Sequence, residues 1–94
     1  MTRILIGRDY IEISGHSPDP VVCHGVSAIA QMAANYVTKH QWGNVRIAEG
    51  FLKISEICQE HQGDALFAAM SDVLYDIREE YPGTLEIKYE NDGA

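Results

Sequence analysis

The chain has 94 residues, 46% of them hydrophobic, with seven basic residues against fourteen acidic and a formal net charge of −7. That length suits a single domain, residues 1–94, whose core buries only roughly 60–65% of the unfolded surface, so a homodimer that hides more is expected. The acidic balance excludes nucleic acid as a direct ligand, because phosphate binding needs clustered Lys and Arg, and it suits a basic protein or peptide partner.

Residues 2–8 are rich in β-branched and apolar side chains, Gly7-Arg8-Asp9 is turn chemistry, and residues 10–14 alternate apolar with polar. Together they predict a hairpin. The apolar run before Arg8 is too short for an export signal, and none reaches the ~20 residues of a membrane span, so a cytoplasmic location is expected. A polar loop follows, and the pattern then becomes helical from Pro20 to His40, with Val22, Val26, Ile29, Ala33, Tyr36 and Val37 at spacings of three and four. Asp19 is the expected N-cap, Pro20 suits the first helical position, and Gly43 is available as a left-handed C-cap.

Residues 45–48 and 51–57 predict a second hairpin around Glu49-Gly50, followed by a polar connection over 58–63. A second helix is expected over 64–81, with Leu66, Met70, Val73, Leu74, Ile77 and Tyr81 on one stripe and Pro82-Gly83 as its stop. Leu85, Ile87 and Tyr89 alternate with charged residues as a final strand, and residues 91–94 are expected to fray. The order ββαββαβ predicts an α+β, two-layer domain: a mainly antiparallel sheet with one buried face, covered by two amphipathic helices. Cys23, Ser27, Ala30 and Ala34 form a strip of small residues on the first helix, and Ala65, Ala68 and Ala69 supply others on the second. These strips allow close approach, to each other or to a second subunit.

The chemistry concentrates at residues 15–27. With Asp19 as cap, Cys23 falls at about the fourth helical position, where free amides and the positive end of the helix dipole favour a thiolate. His16, on the preceding loop, is tethered closely enough to reach it, and a histidine facing such a thiol is the minimum machinery for nucleophilic catalysis. The ordinary alternatives are a small buried thiol and a histidine bonded to a loop carbonyl. Gly15 supplies backbone freedom for the turn, or leaves amides free for an oxyanion or substrate backbone. Ser27, four residues after Cys23 on the same face, either orients the site or bonds the carbonyl four residues back. Asp19 is mainly a cap that can also orient His16. His24 follows Cys23 directly, points about 100° away and is read as surface, while His40 and His61 are read as solvated.

Cys23 and Cys58, the only cysteines, are expected as reduced thiols. The spacings of His16, Cys23, His24 and Cys58 match no common zinc pattern, so no metal is expected. No phosphate loop, cofactor fingerprint or serine triad is present, and no cofactor is expected.

At Gly15-His16, Val22-Cys23 and Val26-Ser27-Ala28-Ile29, with Gln31 beyond, the chain resembles the ribosomal-processing cysteine protease (Prp) family. The resemblance runs through the hairpin around Gly50 to Tyr81-Pro82. It implies a small α+β homodimer and a cysteine endopeptidase with a Cys-His dyad, Cys23 as nucleophile and His16 as general base. It also implies as substrate the N-terminal extension of a large-subunit ribosomal protein or, as for related phage proteins, a virion protein. Two features depart from the family: the segment between His16 and Cys23 is shorter than in many members, and His24-Gly25 stands where small residues such as Ala are usual. The competing expectation is a non-catalytic, ribosome-associated or protein-binding homodimeric module. A loop holding Gly15 and Pro18 also suggests a dyad assembled only when substrate orders residues 15–20.

Overall fold

A computed structural model describes residues 1–90, and the expected fraying at 91–94 lies outside them. Period-two alternation builds the strands β1 (Thr2–Ile6), β2 (Ile11–Ser14), β3 (Asn44–Ala48), β4 (Phe51–Ser55) and β5 (Leu85–Tyr89). The 3.6-residue stripes build the helices α1 (Pro20–His40) and α2 (Ala65–Glu80), and a single 3-10 turn spans Gln59–His61. The order is ββαββαβ in an α+β fold, as the patterning predicts.

The sheet runs β3-β4-β2-β1-β5, with every pairing antiparallel except β1 with β5. That parallel pair follows from α2, which carries the chain from the β4 end of the sheet across one face to the far side of β1. Ile4, Ile11, Ile13, Leu52, Ile54 and Leu85 point to the same face and are buried beneath the helices. Val22, Val26, Ala30, Ala33, Ala34 and Val37 of α1 meet them, as do Phe67, Met70 and Leu74 of α2. The opposite face is polar, with Lys53 paired to Glu12 across β4 and β2 and lying over the Tyr10 ring.

Several local expectations change in three dimensions. The first strand ends at Ile6, because Gly7 N–H closes a turn on the Tyr10 carbonyl at 2.9 Å. The fourth ends at Ser55: Glu56 turns left-handed (φ 53°), and Ile57 leaves the ladder to donate to the Asp9 carbonyl. Helix α1 is closed by Gln41, not Gly43. Gln41 takes the left-handed conformation (φ 58°), with its N–H on the Thr38 carbonyl and that of Trp42 on the Val37 carbonyl. Gly43 instead permits backbone contact, since a Cβ there would lie 2.6 Å from the Ser55 carbonyl oxygen.

On α2 the buried stripe includes Phe67, while Val73 is 36% exposed. The small residues divide between roles: Ala30 and Ala34 let α1 settle on the sheet, whereas Ala65, Ala68 and Ala69 face outward. His61 is not simply solvated. Its ring stacks on Trp42 at 3.9 Å, and the Tyr36 and His40 rings also lie near the indole, at 5.1 and 5.7 Å. Among the described residues, no helix is long and apolar enough to cross a membrane.

Candidate active site

The site grows from the start of α1. Asp19 has extended backbone and its carboxylate accepts the Val21 N–H at 2.9 Å; Pro20, with no N–H to satisfy, follows as the first helical residue. The Asp19 carbonyl accepts the Cys23 N–H at 3.1 Å, the first helical bond, which fixes Cys23 at the fourth position. Ser17 is buried and its hydroxyl accepts the Asp19 N–H at 3.2 Å, so the turn into the helix is held on both sides. The Cys23 thiol is half-buried and donates to the Ser17 carbonyl, Sγ to O 3.1 Å, not to His16.

His16 stands on the other wall. Gly15 leaves β2 with φ 86° and donates its N–H to the Gly50 carbonyl at 3.0 Å, while the Met1 nitrogen donates to the His16 carbonyl at 2.8 Å. The imidazole lies over the β3–β4 hairpin tip, so close that a Cβ on Gly50 would be 2.7 Å from Nε2. Gly50 itself has φ 67°. The glycine thus serves both the turn and the seat of the ring.

Between these walls lies a cavity of about 200 Å³, lined by Gly15, His16, Cys23 and Ser27 together with Gln31 and Ile47, among others. Four of the five residues singled out from the sequence therefore share one concavity. Asp19 does not line it and acts as the cap. The Gly15 amide is committed to the sheet, which corrects the expectation that it stands free for an oxyanion. Ser27 makes no bond back to the Cys23 carbonyl, and among the described residues its exposed hydroxyl is left to the cavity. His24 is exposed and lines no part of the cavity. Cys58 sits near Trp42, its N–H on the Trp42 carbonyl at 2.7 Å; both cysteines are free thiols.

Among the residues that sequence reasoning did not place here are Gln31 as a wall, Ile47 and Gly50. The Glu49-Gly50 turn marked a hairpin, but only strand order carries its tip to the loop after β2. Among the described residues, no cluster of His, Cys, Asp and Glu is arranged to hold a metal ion.

A thiol in the first turn of a helix, facing a cavity shared with a histidine, is the arrangement expected of a thiol hydrolase. The family model for the cysteine protease Prp matches residues 1–86. The chain belongs to that family. It is a hydrolase of the cysteine-protease type, and the match covers all the elements just described up to the start of β5. The Prp fold is equally clear from solved structures. An essential ribosomal processing protease Prp from S. aureus, in complex with a covalently linked product peptide, superposes with a TM-score of 0.81 at 20% identity, covering 96% of this chain and 100% of that one. The same enzyme with a substrate peptide gives 0.81 at 17% identity, over 96% and 100%. SMU.848 from Streptococcus mutans gives 0.70 at 18%, over 97% and 93%. Among curated proteins none matches in sequence.

Proposed function

We propose that this Prp-family member is an endopeptidase in which Cys23 is the nucleophile and His16 the general base. The observation that carries this reading is their placement on opposite walls of one cavity, with the thiol in the first turn of α1. The helix start favours the thiolate, which attacks the scissile carbonyl carbon. The amine leaves with the proton held by the His16 imidazolium, and water, deprotonated by the same ring, then cleaves the thioester. The Ser27 hydroxyl supplies one donor to the substrate oxygen, because the Gly15, Val21 and Cys23 amides already have partners within the fold.

The thiol bond to Ser17 and the seat of His16 on Gly50 make this a resting arrangement. Substrate draws the two side chains together by displacing the loop of residues 15–18, as catalytic hydrogen bonds often tighten only in the complex. The proposed substrate is the N-terminal extension of a large-subunit ribosomal protein, a reading supported by the similarity to the ribosomal processing protease; a phage virion protein is the alternative substrate. Incubation with both, followed by mass spectrometry of the fragments, tests it. Cys23→Ala and His16→Ala are each expected to remove cleavage by at least about 10³-fold, and Ser27→Ala to cost about 10²-fold in kcat. Full activity in either dyad variant overturns the assignment.

The working unit is proposed to be a cytoplasmic homodimer. Met32 and Tyr36, large apolar residues exposed on α1, provide a surface for it, and the two free thiols suit a reducing compartment.

A further inference from the structure

The bond from Gly15 N–H to the Gly50 carbonyl sets the parity of the sheet beside the cavity. Counting along the β2–β4 register from that pair, Leu52 and Ile54 turn their main-chain polar groups toward β2. Phe51, Lys53 and Ser55 therefore turn theirs toward β3, where their partners are Ala48, Arg46 and Asn44. The alternate residues of β3, Val45 and Ile47, are left directing both N–H and C=O away from the sheet, because β3 is its edge.

The same two residues pair with the buried Ile54 and Leu52, so their side chains face the helix layer. Ile47 is 56% exposed and, with Ala48, lines the cavity that holds Cys23 and His16. Val45 borders an adjoining concavity with Thr38 of α1. A groove thus runs between the flank of α1, marked by Ser27, Gln31 and Thr38, and the open edge of β3. Edge strands are usually blocked by Pro, charge or a bulge; Asn44–Ala48 has no Pro and pairs in unbroken register, and its one charged residue, Arg46, pairs with Lys53 on the face away from the helices. The opposite edge, β5, contributes nothing to the cavity.

We propose that the polypeptide substrate binds as an added strand on β3, its main chain bonded to Val45 and Ile47 and its alternate side chains turned into the groove beside α1. This rests on the reading of Cys23 as the nucleophile and specifies how the scissile segment is presented to it. The ligand class is an extended, unfolded segment recognised largely through its backbone, which a folded loop or a helix cannot supply. Val45 and Ile47 lie about 7 Å apart along the strand, so residues two apart in the substrate share the bonds.

The test takes the best-cleaved decapeptide from a randomised pool, identified by mass spectrometry, and scans it with single N-methyl groups outside the scissile bond. The expected result is a period-two pattern, KM rising about tenfold or more at alternate positions and little between them. Ile47→Pro, which removes one outward N–H from an edge position where Pro is tolerated, should raise KM similarly, while Ile47→Ala reads the side chain alone. Alkylation by iodoacetamide reports whether the Cys23 thiol stays accessible and reactive in both variants, since so small a probe does not use the strand. A scan without alternation, with cleavage intact, overturns the added strand and leaves the nucleophile standing. A pool with no cleaved member, or cleavage persisting in Cys23→Ala, overturns the reading beneath it as well. If Ile47→Pro changes sedimentation and not KM, the edge belongs to a second copy of the chain and the proposal fails.

Discussion

Gly50 shows how much a single missing side chain can hold in place. It combines a left-handed backbone with the seat of the His16 imidazole, two demands that an added methyl would violate together. Gly50→Ala is expected to cost about 1–2 kcal/mol of stability from backbone strain alone. It should also displace the ring from its resting seat and so change kcat/KM without removing cleavage; chemical denaturation and peptide cleavage read the two effects separately. Asp19 acts at one remove from the chemistry. Asp19→Ala should destabilise the fold by about 1 kcal/mol and slow alkylation of Cys23, whereas Asp19→Asn retains the cap and should preserve most of both. His16, Cys23 and Ser27 were legible in the sequence because a cap and a helical period fix their places on or just before α1. Gly50 was not, because its partner is 34 positions away and strand pairing alone joins them.

At the scale of elements, α1 holds both Cys23, the proposed nucleophile, and most of the contact with the sheet. Its small residues Ala30, Ala33 and Ala34 are buried, which brings the helix axis close to the strands. Gly25 is different: it faces α2, and a Cβ there would meet only Ile77 Cδ1, at an ordinary 3.5 Å. Gly25→Ala should therefore stabilise the protein by up to about 1 kcal/mol through helix propensity, read as a higher midpoint of unfolding. A lower midpoint would mean that the two helices approach more closely than that distance allows. The helix periods predicted α1 and α2 almost to the residue, yet placed Val73 in the core and passed over Phe67. Both lie near the margin of the apolar face of α2, and which margin is covered depends on how that helix rolls against the sheet, not on its own pattern. The end of α1 is similar. Gly43 carried the usual signal of a cap, but backbone crowding by Ser55 claimed it and Gln41 took the left-handed position.

For the molecule as a whole, a modest core has to support a site assembled from distant segments. Leu74, fully buried between helix and sheet, is expected to cost about 2–5 kcal/mol when cut to Ala, a large share of the stability of a domain this size. Thermal unfolding should show that loss. Cleavage below the midpoint should fall much less, because Leu74 itself does not line the cavity. The outer end of α2 and β5 are joined by Tyr75 and Tyr89, whose rings lie 6.5 Å apart. The Tyr75 hydroxyl beside it, with a smaller contribution from burial, raises Tyr89 above its ordinary value, favouring the neutral phenol in the fold. Any stability from this is present in full below about pH 10, the unfolded value, and is lost as pH rises through the folded one. Tyr89→Phe should flatten that alkaline decline in denaturation experiments.

By itself the sequence determined the elements and their order, and it set the proposed pair, Cys23 and His16, close together in the chain. Caps, turns and periodicities are local properties, and a thiol in a first helical turn next to a loop histidine is local too. Tertiary structure decided which strand lies beside which, and so brought the Gly50 turn to His16 and left the edge of β3 open beside Cys23. Strand neighbours are chosen by how all the elements together bury their apolar faces, a choice that no single segment of the chain contains.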